Sequence, residues 1–322
     1  MVLFKTLKRM LIIVGIPTLF AFLSYAVFRT DSLNGLFTIM SISFILLVPF
    51  GIGVITVYLS NIERIKSLSY RLMMPWVVIM VFFFITLFFG FEGWACWLMI
   101  MPVFFGAASL GGWLAGRARL RKHTNERLQI SLLVLLPFLI SPVERYIGEH
   151  PSIYKAYTYI DINADKVHIW NNATRVRGIS STEDKGWLTE TLGFPRPIRA
   201  ELNYNGVGGY RKAIFDKGLI FHEQVTDYTD QEFMRFTIKA NPHEIPSTTM
   251  DEHVVIGGDY FDVIDGTYEL EQLNRKTYRL HLYSHFKLTT TFNFYAGLWA
   301  GWIMKDIQNN ILQVIKQRAE DI

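Results

Sequence analysis

Cysteine is almost missing from this chain, and charge is thin. The single Cys96 in 322 residues excludes an internal disulfide and any multi-cysteine metal site. Charged residues make up 19% and hydrophobic ones 51%, whereas soluble domains run nearer a quarter charged. The net charge of +4 joins two unlike halves. Residues 1–150 hold 13 Lys and Arg against 6 Asp and Glu, and residues 151–322 hold 19 against 22. The basic excess therefore belongs to the first half, and it gives no ground for nucleic acid as a partner.

The first half also lacks charge where it matters most. Leu11–Phe28, Leu36–Ser60, Leu72–Phe91, Gly93–Gly116 and the shorter Leu128–Val143 contain no Asp, Glu, Lys, Arg or His. Runs of about 18 to 25 such residues are long enough to cross a bilayer. The fifth, about 16 residues with Pro137 inside, is marginal against a core of about 30 Å. The reading is five transmembrane helices within residues 1–145. Their uncharged interiors offer no ion path or proton relay, which points to an anchor and away from a pump. Connections alternate between basic (Lys5, Lys8, Arg9; Arg64, Lys66, Arg71; Arg117, Arg119, Arg121, Lys122, Arg127) and neutral or acidic (Arg29, Asp31; Glu92; Glu144, Arg145, Glu149). The positive-inside bias then puts the N-terminus in the cytoplasm and everything after Val143 outside, which in a bacterium is the periplasm. The first run is too long for a signal-peptide core and lacks a convincing cleavage site, so it stays in the chain as a helix. Gly112–Gly116 has the GxxxG spacing that suits close helix packing, within one chain or between copies in a homo-oligomer.

From Tyr154 the pattern turns to strands. Tyr154–Ile162 alternates, and Asn163 can cap a helix over 164–176, with a second short helix around 181–192. Ile198–Tyr204, Gly209–Phe215, Leu219–Asp227, Glu232–Lys239, Tyr260–Leu270 and Lys276–Thr289 read as strands, and a helix over about 294–318 closes the chain. The order predicts an α+β domain over 152–322, a curved antiparallel sheet around a long C-terminal helix. Ile160-Asp-Ile-Asn-Ala-Asp-Lys-Val-His-Ile-Trp170, Trp187, Gly209-Tyr-Arg211, Lys217-Gly-Leu-Ile-Phe-His-Glu223, Gly266-Thr-Tyr-Glu-Leu270 and Thr277-Tyr-Arg-Leu280 follow one another in this order. Together they resemble the START-like helix-grip (SRPBCC, polyketide cyclase/dehydrase-type) superfamily. The resemblance implies a hydrophobic cavity between sheet and helix. It fixes no single activity, since the family includes binding, catalytic and regulatory members.

Strand register follows without the family. A turn at Asp216-Lys-Gly218 sets Ala213 opposite Phe221 and Arg211 opposite Glu223. A two-residue turn at Thr229-Asp230 then sets Met234, Phe236 and Ile238 beside Val225, Glu223 and Phe221. Tyr268, Leu280 and Leu282 join this inner face from the last two strands. Candidate ligand-contacting residues are therefore Arg211, Phe215, Phe221, Glu223, Phe236, Tyr268, Leu280 and Leu282. The Arg–Glu pair serves either as a satisfied buried pair fixing register or as the polar anchor of a ligand. On the closing helix Ile303, Ile307, Ile311, Val314 and Ile315 form a sheet-facing stripe. The aromatic start that includes Trp299 and Trp302 suits either core packing or a cavity mouth at the membrane.

Other chemistry is sparse. His281 and His285 share a strand face roughly 13 Å apart, too far for one metal ion. His243, Glu244, Asp251, Glu252 and His253 cluster in a long loop without the spacing of a known metal loop. Gly206-Val-Gly-Gly209 joins two strands and reads as a turn, not a phosphate loop. The sequon Asn172-Ala-Thr174 falls in a helix. No nucleophile set can be assembled, and no cofactor is expected. The function expected is a membrane-anchored module that binds or transfers a lipid or other hydrophobic molecule. The alternatives are a cyclase- or hydrolase-like enzyme, or a structural or sensory partner of another membrane protein.

Overall fold

The computed structural model describes residues 2–121, 126–148, 150–241 and 256–321. The chain forms two compact units, Met1–His150 and Pro151–Ile322.

The first unit is all helix: α1 (Val2–Arg29), α2 (Val48–Leu59), α3 (Ile62–Ile65), α4 (Leu68–Phe88), α5 (Trp94–Leu120) and α6 (Glu126–Ile147). Among the described residues three stretches, Lys8–Arg29, Leu68–Phe88 and Trp94–Leu120, are long and apolar enough to cross a membrane. Five were expected, and two runs account for the difference. In the second run residues 36–42 form turns, so the apolar helix is only Ser43–Leu59, opening with a π-helical turn at Ser43–Leu47. The cause lies a hundred residues away. The Glu144 carboxylate accepts from Ile42 N at 2.7 Å, Ser43 N at 2.9 Å and Ser43 Oγ at 2.5 Å. These bonds satisfy amides that a helix start leaves open and place a negative charge at its positive end. The fifth run lies in α6, which contains Pro137 and Pro142 and is not among the helices meeting both criteria.

Glycine lets these helices touch. A methyl on Gly53 would fall 2.0 Å from the Ala108 carbonyl, and one on Gly111 2.1 Å from that of Phe50. Gly112 and Gly116 lie against Arg71 in the same way. The GxxxG surface is thus covered inside the chain, by α2 and α4. Arg119 in the last turns of α5 donates to the carbonyls of Val57, Tyr58 and Ser60, closing the C-terminal end of α2. Leu19, Leu23, Val77, Phe84, Leu110, Leu135 and Leu139 remain exposed.

The second unit is a seven-stranded antiparallel sheet with three helices: β1 (Ser152–Ile162), α7 (Lys166–Thr174), α8 (Trp187–Leu192), β2 (Pro197–Leu202), β3 (Tyr210–Phe215), β4 (Ile220–Thr229), β5 (Phe233–Ala240), β6 (Phe261–Gln272), β7 (Tyr278–Leu288) and α9 (Asn293–Glu320). Spatial order is β1-β7-β6-β5-β4-β3-β2, so the first strand pairs with the last. The sheet curls around α9, the helix-grip arrangement. Arg211 pairs with Glu223 and Ala213 with Phe221, as the turn predicts. The next hairpin differs. Phe236 lies beside Val225 and Ile238 beside Glu223 because the strands close at Thr229–Phe233, with Gln231 at φ +60°, and a bulge follows between Val225 and Asp227. The slip is two residues, so each side chain keeps its face.

On the inner face Trp170, Ile162, Leu219, Phe286 and Ile315 are fully buried. Burying one such side chain contributes about 1.5–3 kcal/mol. Gly206 and Gly208 adopt positive φ in the loop between β2 and β3, and Asn203 Oδ1 accepts from Tyr204 N and Tyr210 N to close it. The sequon lies in α7, with Thr174 buried and its hydroxyl donated to the Trp170 carbonyl.

Candidate ligand-binding site

Between the inner face of β2–β7 and the middle of α9 lies a cavity of about 80 Å³. Its apolar wall includes Ala213, Phe215, Phe221, Phe236, Ile238 and Val263 from the sheet. Met304, Ile307 and Ile311 close it from the helix, with Val176, Ile179 and Pro197 at one side. Strand alternation puts the sheet residues there: every second residue of β3, β4 and β5 faces inward. Gly266 takes part by being small, since a methyl on it would fall 2.6 Å from the Phe236 ring.

Two polar groups interrupt the wall. The first is centred on Arg211, whose side chain is only 5% exposed and whose Nη1 donates to Glu223 Oε2, on a side chain 3% exposed. Arg211 Nε donates at 3.1 Å to the Thr174 carbonyl at the end of α7, where an open carbonyl and the helix dipole both favour a cation. The guanidinium also sits 5.2 Å from the centre of the Phe236 ring and 5.8 Å from that of Tyr268. Burial works against the Arg211 charge, but the neighbouring Glu223 carboxylate more than offsets it and keeps the group protonated. Burial pushes the Glu223 carboxyl above its usual range, with Arg211 pulling the other way. The Tyr268 hydroxyl is raised by burial as well. The second group is Gln308 on α9. Its Nε2 donates to Ser284 Oγ at 3.2 Å and to the Ala156 carbonyl at 3.4 Å, and its Oε1 accepts from Thr158 Oγ1 at 3.1 Å. Ser284 and Gln308 both line the cavity.

Of the residues singled out in the sequence, Arg211, Phe215, Phe221, Glu223, Phe236, Tyr268 and Leu282 come together in this wall. Leu280 is buried in the core outside it, and Trp299 and Trp302 stand apart on α9, with Trp302 half exposed. Sequence reasoning passed over Ser284 and Gln308. The available signal was a polar residue at 308 within the apolar spacing 304, 311, 315.

Elsewhere two histidines of the outer face are paired. On the outer face His285 Nδ1 and Asp265 Oδ1 lie 2.7 Å apart, and Arg235 Nη2 donates to Asp265 at 2.9 Å. Burial raises Asp265, but these donors outweigh it and hold the carboxyl below its ordinary value. His281 sits between Tyr157 and Glu271. Among the described residues no three His, Cys, Asp or Glu gather as metal ligands. His243, Glu244, Asp251, Glu252 and His253 lie outside the described residues.

Comparison with known proteins adds a likeness of shape. No family model matches the chain, and no curated protein matches it. Similar solved structures include truncated norcoclaurine synthase from Thalictrum flavum, 10% identical, with 52% of this chain and 95% of that one covered and a TM-score of 0.30. The Zhui aromatase/cyclase from Streptomyces sp. R1128 is 12% identical, with 52% and 94% covered and a TM-score of 0.33. A START superfamily protein from Mycobacterium smegmatis is 7% identical, with 52% and 97% covered and a TM-score of 0.33. The helix-grip architecture stated here rests on strand order, register and the position of α9.

Proposed function

We propose that the chain is a membrane-anchored binding module whose helix-grip domain holds a lipid or other hydrophobic molecule, or passes it on. The observation that carries the reading is the apolar cavity with Arg211 and Glu223 neutralising each other in its wall. A cavity of about 80 Å³ is smaller than the pockets of about 300–1,000 Å³ that enclose whole small ligands. It accepts a ring or a short chain as it stands, and a larger molecule only if the domain opens. Because Arg211 already has a counter-ion, the occupant is a neutral group that hydrogen-bonds to Ser284, Gln308 or Tyr268.

The supports for anchoring are the three long apolar helices and the large apolar side chains that the first unit leaves exposed. The charge alternation of the connections supports a cytoplasmic N-terminus and a second unit outside the cytoplasm. An active alkaline phosphatase fused after Ile322 is the expected result, and an inactive one overturns that orientation. A cyclase- or hydrolase-like activity is the alternative, with the Arg211–Glu223 pair in the cavity wall as its polar machinery.

The test is mass spectrometry of hydrophobic compounds that co-purify with the full chain in detergent, beside an Ala213→Leu variant that fills the cavity. The wild type should carry a compound that the folded variant lacks. Identical contents in the two proteins would overturn the reading. If a compound is found, Glu223→Gln separates binding from chemistry, since only an enzyme would then accumulate unconverted substrate.

A further inference from the structure

The solvent-facing stripe of α9 changes character along its length. Over the first three turns it presents Phe294, Leu298 and Trp302, which are 68%, 53% and 53% exposed. Trp299 packs edge-on against Trp302 with ring centres 5.3 Å apart. From the next turn onward the same stripe reads Lys305, Asn309, Gln313, Gln317 and Glu320, all exposed. Residues about four apart stack on one helix face, so this is a single surface with an apolar start and a polar remainder. The opposite face carries the core through Met304, Leu312 and Ile315, and folding of the domain gains nothing from apolar side chains left in water.

The apolar start sits where the chain arrives from the helical unit. Asn293 Nδ2 donates to Ser152 Oγ at 3.1 Å, Tyr154 Oη donates to the Asn293 carbonyl at 3.1 Å, and the Tyr154 ring lies against Gly297. Ile153, beside Ser152, is also exposed. Only residues 148–151 separate β1 from α6, on which Leu132, Leu135, Leu139 and Val143 are exposed.

We propose that the first three turns of α9 enter the interfacial layer of the bilayer, with Phe294, Leu298 and Trp302 as anchors and the water boundary between Trp302 and Lys305. Three features select a lipid surface as the occupant. The side chains are of the aromatic and apolar kind favoured at that depth, and a lysine follows immediately, placed to reach back to the headgroups. The apolar stretch from 294 to 302 is about 12 Å long at 1.5 Å per residue, far short of the roughly 30 Å hydrocarbon core, so it suits the interfacial layer and not a crossing. A connection of only four residues tethers this end of the domain to α6. A second copy lying along α9 would instead need an apolar stripe over the whole helix. The inference rests on the anchoring part of the proposed function and is independent of what the cavity holds.

The experiment uses the full chain with Cys96→Ser in nanodiscs of phosphatidylcholine and phosphatidylglycerol. Nitroxide labels are placed singly at Leu298→Cys, Asn309→Cys and Val77→Cys, and collision with oxygen is compared with collision with a water-soluble nickel chelate. The expected result is a Leu298 label rich in oxygen and shielded from nickel, like Val77 on α4, and an Asn309 label with the opposite preference. A Leu298 label as open to nickel as Asn309, while Val77 stays shielded, overturns the inference and leaves anchoring intact. Spin–spin broadening at Leu298 would assign the stripe to a second copy and overturn it too. A nickel-accessible Val77 label overturns the anchoring itself.

Discussion

The two units solve opposite packing problems with the same twenty residues. In the helical unit small and polar residues share the interior with rings: Gly51, Gly53, Gly111 and Gly112 are buried, together with Ser24, Ser41, Thr56, Ser60 and Thr86, beside Phe28, Phe82, Phe104 and Trp97. Leucines such as Leu19, Leu23, Leu110, Leu132, Leu135 and Leu139 are left outside. In the helix-grip unit the large apolar side chains are inside, and Tyr, His and charged residues line the outer face of the sheet. The contrast parallels two general rules of packing. Where the surroundings are apolar, close backbone approach and hydrogen bonding inside the protein decide the packing. Where they are water, removing apolar surface from it does.

The largest expected effect breaks the Arg211–Glu223 pair inside the second unit. Arg211→Met leaves Glu223 buried without its partner, an error typically costing about 3–5 kcal/mol. Arg211→Met with Glu223→Gln should cost clearly less. The lone carboxyl has a folded pKa raised above its unfolded value. Its protonated form is therefore compatible with folding at low pH, and stability is lost as pH rises through that folded value. The single variant should then be closest to wild type in acid and furthest from it at neutral pH. Thermal unfolding of the full chain in detergent at both pH values checks this, and equal small losses in both variants would contradict it.

A smaller effect sharpens the other side of the comparison. Gly53→Leu must push α2 away from the Ala108 carbonyl and should cost about 1–3 kcal/mol, the usual range for overpacking. Gly106→Ala meets nothing within 4 Å, and should be neutral or stabilising by up to about 1 kcal/mol through helix propensity. Detergent-solubilised melting temperatures should rank the two in that order. The reverse ranking would mean that glycine contact does not hold this unit together.

The smallest effect is electrostatic. Arg318 Nε and Nη2 donate to the two Glu183 oxygens at 2.7 and 3.0 Å, and this lowers the carboxyl pKa from an ordinary 4.5 to about 2. A depressed folded value means the contribution is complete above the unfolded pKa and disappears as pH falls from about 4.5 to about 2. After solvent screening it amounts to about 1 kcal/mol. Glu183→Gln should remove that part of the acid sensitivity, read as a flatter stability curve as pH falls from about 4.5 to about 2. An unchanged curve would show that the pair is not felt.

What the sequence revealed follows the range of the forces involved. The Arg211–Glu223 pairing was legible because a three-residue turn and strict alternation are local. The next hairpin slipped by two because neither the left-handed Gln231 nor the bulge at Val225–Asp227 carries a glycine signal. Five spans could be counted from hydropathy. The shortening of the second helix could not, because it depends on a carboxylate at Glu144. The cavity's apolar wall was readable strand by strand, whereas Gln308 was hidden by a helical period that treats each sheet-facing position as apolar.

Gln308 also bears on how the cavity exchanges its contents. Its amide joins α9 to three partners on β1 and β7, and further along Lys316 donates to the Asp161 carbonyl at 2.8 Å. Sliding the helix by one turn would strand that amide among apolar side chains, so α9 behaves as a latched bolt. The segment 177–183, which contributes Ile179 to the cavity wall, is held by Arg318 reaching the carbonyls of Arg177 and Gly178 and the Glu183 carboxylate, and by one backbone bond from Ile179 N to the Ile198 carbonyl at 2.7 Å. Local opening draws on the least stable part of a fold, which makes this strap the door: its amides should exchange with deuterium well before those around Gln308, and acid should hasten them. The residence time of whatever the cavity holds would then be set by the arginine fork and the one backbone bond that hold this strap, and not by the depth of the pocket.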